Sequence, residues 1–127
     1  MKLNNLLVVS AVIGAVFGVA FLVASGPFAA IYGITLDRAG MLLAQLFGGA
    51  LIAFAVLNWF ARDVSDPGAR QAVVLANLTG DAIGFVVILI GQLGGIANAL
   101  GWSSVVIYLL LALAFAYVQF MQPRSAG

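Results

Sequence analysis

Four long apolar runs constrain this chain more than any other feature. They cover residues 6–25, 39–61, 72–93 and 102–121, and none contains proline. A helix of about 20 apolar residues matches the hydrocarbon thickness of a bilayer. In lipid, backbone N–H and C=O groups must pair within their own segment, so helices are the expected form. A transmembrane barrel would need short strands of alternating polarity, and these runs are continuously apolar. The expected fold is therefore all-α: one integral membrane domain over residues 1–127, a four-helix bundle with short loops.

The composition agrees. Hydrophobic residues make up 65% of the chain and charged residues 7%, against about 25% charged in a soluble domain. The charged set is Lys2, Arg38, Arg62, Arg70 and Arg124 against Asp37, Asp63, Asp66 and Asp81. There is no Glu, His or Cys. Disulfides, a thiol nucleophile, thiolate or imidazole metal sites and His-ligated haem are excluded. No metal and no cofactor is expected. A net charge of +1 offers no basic surface for nucleic acid.

The first run has features of a secretory signal, with Lys2 ahead of it and Val23-Ala24-Ser25-Gly26 resembling a cleavage site. Its apolar stretch exceeds the 7–15 residues or so of a signal core, so it reads as a retained span. Lys2, Arg62, Arg70 and Arg124 fall on one side of the membrane with both termini, and only Arg38 falls on the other. The positive-inside rule then places both termini and the middle loop in the cytoplasm.

The connections are too short to hold a soluble domain. In the middle loop, Asp66 is the expected cap of the third span, with Pro67 at its first position, where a missing N–H costs nothing. In the first outer loop, Pro27 to Gly33 reads as a short interfacial helix started by the proline and ended by the glycine, after which Asp37 caps the second span. Trp59, Trp102 and Tyr32 are expected interface anchors.

Small residues recur at helical spacing. Gly14 and Gly18 mark the first span, Gly48 and Gly49 the second, and Gly80, Gly84 and Gly91 the third. Such positions let membrane helices approach closely, whether within the bundle or against another subunit. The shared Gly-x-x-x-Gly of the first and third spans also fits a duplicated helical hairpin.

Asp81 is the one ionisable residue well inside a span. A carboxyl there costs roughly 2.5–3.5 kcal/mol on insertion scales and marks a functional candidate. The other reading is a hydrogen-bonded acid that locks the bundle. Asn77, Asp81, Gly84, Ile88 and Gln92 share one helix face, which should point inward. Antiparallel neighbours bring Ser10 and Tyr117 to the Asn77–Asp81 level, with Gln45 closer to the outer side. Tyr117 also suits the aromatic belt. Ser104, Tyr108, Phe115, Gln119 and Gln122 form a second face on the fourth span. Asn58, beside Trp59, reads as a helix-end residue at the interface.

Two stretches carry a family pattern. One is Leu46-Phe47-Gly48-Gly49-Ala50-Leu51-Ile52-Ala53-Phe54 followed by Asn58-Trp59-Phe60-Ala61-Arg62. The other is Leu78-Thr79-Gly80-Asp81-Ala82-Ile83-Gly84 followed by Gly91-Gln92-Leu93 and Asn98-Ala99-Leu100-Gly101-Trp102. With the Pro27 to Gly33 loop, they resemble uncharacterised four-helix prokaryotic membrane proteins, broadly the DoxX-like group. The resemblance implies a four-helix inner-membrane bundle and no particular catalytic residue. A redox link of the DoxX type would come through partner proteins, since this chain lacks Cys.

Three functions remain in view. An accessory or scaffold subunit, packing on other integral membrane subunits or on copies of itself, fits the absent soluble domain and the glycine faces. An oligomeric transporter of protons or a small solute fits Asp81. An enzyme acting on a lipid or quinone, or a pigment-binding protein, lacks the base, nucleophile or histidine it would need.

Overall fold

The computed structural model describes residues 2–121. Five helices follow one another: α1 Leu3–Val23, α2 Ser25–Ile31, α3 Arg38–Ala61, α4 Pro67–Leu93 and α5 Gly101–Ala116, the last running on through a π-helical turn, Tyr117–Met121. Among the described residues there is no strand, and four helices are long and apolar enough to cross a membrane. The architecture is the expected all-α, four-helix membrane bundle. Arg124 and Gln122 lie outside the described residues.

The ends of the helices follow local chemistry. The Asp37 carboxylate accepts from the Gly40 N–H at 2.6 Å and starts α3. The Asp66 carboxylate accepts from the Ala69 N–H at 2.8 Å, with Pro67 in the first position of α4. Both caps satisfy amide donors that a helix start leaves free. The short helix α2 begins at Ser25, two residues ahead of the expected start at Pro27. Pro27 still falls in the first turn, where no N–H is required. Gly33 and Gly95 follow α2 and α4 with φ of +75° each. In both places two amides turn back to the helix end: Gly33 to Ala30 and Ile34 to Ala29, then Gly95 to Gln92 and Ile96 to Gly91. This closing turn needs the left-handed backbone that glycine adopts without strain.

The helices associate as two antiparallel pairs. α1 packs chiefly on α3, and α4 on α5, while the pairs meet each other far less. Gly18 and Gly48 make the first pair close: a Cβ on Gly48 would sit 2.6 Å from the Gly18 carbonyl oxygen. Gly14 faces Leu51 and Ala55 of α3. In the second pair Gly84 seats the ring of Tyr108. Gly18 thus meets backbone and Gly84 a tyrosine ring, so the two Gly-x-x-x-Gly segments do not pack alike. Gly49 and Gly80 have open space where a side chain would be, and Gly91 meets only Ile96 of its own loop. Those three do not mediate helix packing within the chain.

The pairs touch at both ends. At the end where α1 begins and the π-helical turn lies, Leu3, Leu6, Leu7, Ala61, Val74 and Phe115 form the buried core. Arg70 of α4 donates to the Val64 carbonyl at 2.9 Å and reaches Asn4 of α1 at 3.4 Å. At the opposite end Asn98 joins the two loops. Its backbone N–H donates to the Tyr32 carbonyl at 2.8 Å and its side chain to the Ile31 carbonyl at 3.0 Å.

Candidate functional site

Between these two joined ends the pairs separate. A cavity of about 590 Å³ lies there, lined from all four long helices and from the loops at the Asn98 end. The helices α3 and α4 leave the short 62–66 connection together and are tied by one reciprocal amide pair. Asn58 donates to the Asn77 side-chain oxygen at 2.9 Å, and Asn77 donates back at 2.7 Å. Both residues are buried. Asn77 also donates to the Val73 carbonyl one turn earlier on its own helix, at 2.9 Å. Beyond this pair the lining residues that remain exposed are Phe47, Ala50 and Phe54 of α3 and Gly80, Ile83 and Val87 of α4. The mouth therefore lies between α3 and α4, at a depth where the surroundings are lipid.

The wall is apolar with a few polar groups. Phe17, Phe21, Tyr32, Phe47, Phe54 and Tyr108 supply aromatic rings. Phe21 is edge-on to both Phe28 and Phe47, and Phe28 to Tyr32, with ring centres 4.9–5.5 Å apart. Ser10, Ser104 and Asp81 add oxygens. The Ser10 hydroxyl and the Asp81 Oδ2 atom are shielded and have no hydrogen-bond partner. Among the described residues no Lys or Arg lines the cavity. Among the described residues no cluster of His, Cys, Asp or Glu could hold a metal ion.

Three members of the expected polar cluster, Asp81, Asn77 and Ser10, do line this one cavity. The other three lie elsewhere. Gln45 is exposed on the flank of α3 away from the cavity. The cavity face of α3 runs through Ala44, Phe47, Leu51, Phe54 and Asn58, spaced three and four apart, and Gln45 is off that register. Tyr117 is 48% exposed in the π-helical turn. Depth along the axis had placed it near Asp81, but its azimuth turns it outward. Gln92 is buried near the Asn98 loop, where it donates to the Asn98 carbonyl at 2.9 Å and packs on Gly101.

The anchors divide similarly. Trp59 and Trp102 are partly exposed near opposite ends of the bundle. The Arg62 guanidinium lies 3.9 Å over the Trp59 ring and also donates to the Trp59 carbonyl. Tyr32 instead turns inward, joining Phe28 and the cavity wall. Asn58 was read as a helix-end residue; its place is the buried bridge to Asn77. The register from Ala44 to Asn58 carried that signal. Of the face expected on the fourth span, Ser104 and Tyr108 line the cavity, while Phe115 is buried in the core at the other end.

A scan of protein-family models, a search of curated proteins and a search of solved structures each return no match to this chain.

Proposed function

We propose that this protein is a non-catalytic component of a prokaryotic inner membrane, with both termini in the cytoplasm, that packs as an accessory or scaffold subunit against other membrane-embedded chains or a second copy of itself. The observation that supports it is the outward face of α3. Gln45, Gly49 and Ala53 recur every four residues there, all exposed, and nothing in the chain approaches Gly49. An amide facing hydrocarbon lacks partners, and a small-residue ridge beside it lets another helix come close enough to supply them. Most of the other glycine positions are already occupied by the chain's own helices or loops, so the docking role falls to this face. The non-catalytic part rests on the chemistry available: a lone intramembrane carboxyl without a base, nucleophile or metal set.

The test uses the natural absence of cysteine. Gln45→Cys introduces a unique thiol, and oxidative or bifunctional cross-linking in native membranes should give one discrete larger species. Gln45→Leu should reduce recovery of that partner at least fivefold in mild detergent. A protein recovered alone and monomeric, with no cross-linked species, contradicts the reading.

One observation favours a second reading, transport of protons or a small solute: Asp81 lies on the wall of a cavity and not within packed side chains. On that reading Asp81→Asn abolishes flux in proteoliposomes. Unchanged flux removes Asp81 from any such path.

A further inference from the structure

We propose that the cavity between the two helix pairs binds an amphipathic amine, a hydrophobic molecule carrying one protonated nitrogen, which reaches it from the bilayer through the gap between α3 and α4. This inference does not rest on docking by the outer face of α3.

Size and access come first. A volume of about 590 Å³ falls in the range of about 300–1,000 Å³ typical of small-molecule sites. The exposed part of the lining belongs to α3 and α4 alone, so a molecule already dissolved in the bilayer reaches the cavity sideways.

The polar groups select the head. Among the described residues Asp81 brings the one carboxyl in the lining, its Oδ2 atom is unpartnered, and no Lys or Arg of the wall compensates it. Ser10 is 8% exposed and its hydroxyl oxygen is also unpartnered. Two free acceptors suit N–H donors, and a carboxylate in low dielectric suits a cationic one best. The side-chain amides of Asn58 and Asn77 are engaged with each other. A phospholipid head would find no cation for its phosphate, and a fatty acid would set one carboxylate against another.

The apolar wall suits the rest of the molecule. Six aromatic rings line the cavity, and ring faces attract cations as well as hydrocarbon.

Three photoreactive probes with the same diazirine-bearing sixteen-carbon chain test this: a primary amine, an alcohol and a carboxylic acid. The full chain is placed in nanodiscs of zwitterionic lipid, and labelled residues are mapped by mass spectrometry. The amine should label cavity residues such as Phe54 and Ile83 and be displaced by unlabelled hexadecylamine. The alcohol and the acid should label them at least fivefold less. Asp81→Asn should lower amine labelling about tenfold and leave the weak alcohol labelling unchanged. Gly80→Leu should block every probe without unfolding the bundle, because a Cβ at Gly80 meets nothing within 4 Å. Equal labelling by all three probes in the unmodified protein overturns the proposal, and this comparison needs no variant. So does Asp81→Asn labelling like the parent, or labelling that hexadecylamine does not displace.

Discussion

Asn58 and Asn77 exchange two amide hydrogen bonds, at 2.9 and 2.7 Å, across the narrow end of the gap between α3 and α4. Each amide is both donor and acceptor, so each side-chain oxygen is satisfied within the pair, and Asn77 donates its second N–H to the Val73 carbonyl. Placed where the two helices diverge, it fixes how far apart they stand above it. That separation is the origin of the cavity.

Removing one partner should therefore cost more than removing both. Asn58→Leu leaves the Asn77 oxygen buried and unpaired, and should destabilise the bundle by about 1–2 kcal/mol. The Asn58→Leu/Asn77→Leu double variant should recover most of that loss. Unfolding titrations in mixed micelles, run as a double-mutant cycle, measure the coupling. Additive losses would show that the pair does not act as a unit.

The two adjacent glycines of α3 should behave differently. A Cβ on Gly48 would press on the Gly18 carbonyl and lie 2.9 Å from the Leu22 amide nitrogen, both backbone atoms. Gly48→Ala should lower stability by about 1–3 kcal/mol through overpacking. Gly49→Ala meets open space and should change folding stability little. The same unfolding assay compares them, and equal effects would contradict the observed pairing of α1 with α3.

Gly33 controls how the two loops at the Asn98 end meet. Its φ is +75°, and a Cβ there would fall 3.2 Å from the Asn98 Cβ. Gly33→Ala should cost about 1–2 kcal/mol from the left-handed backbone. It should also weaken the bond from the Asn98 amide to the Tyr32 carbonyl. Hydrogen exchange at Asn98 should then accelerate, while amides in the middle of α1 stay protected.

The proposed sidedness rests on the basic residues and is open to a direct assay. A unique thiol at Ser65→Cys, in the connection between α3 and α4, should react with a membrane-impermeant maleimide only after cells are opened. One at Thr35→Cys, at the opposite end of the bundle, should react in intact cells. The reverse pattern would invert the proposed topology.

The spans were legible because burying a helix in lipid leaves a long apolar run that no other fold requires. Caps at Asp37 and Asp66 were legible because a free helix start needs an acceptor at a fixed offset. Azimuth was less so. Ser10 and Tyr117 were placed with Asp81 by depth, and Gln45 nearer the outer side, yet which side of a lipid-surrounded helix faces a neighbour is set by close approach at Gly18, Gly48 and Gly84. All sides of such a helix are apolar, so hydrophobic periodicity carries little of that information. Asn58 was legible in principle, being one turn beyond Phe54 on the face that begins at Ala44.

The cavity between the two helix pairs is proposed to fill from lipid and not from water. A nitroxide attached at Gly80→Cys, on the open wall of that cavity, reports this most directly through its relaxation by dissolved oxygen and by a water-soluble nickel chelate. Strong relaxation by oxygen and almost none by the chelate is the expected result. Strong relaxation by the chelate would mean a water-filled path, and weak relaxation by both would mean that the helices close on each other; either result contradicts the proposal.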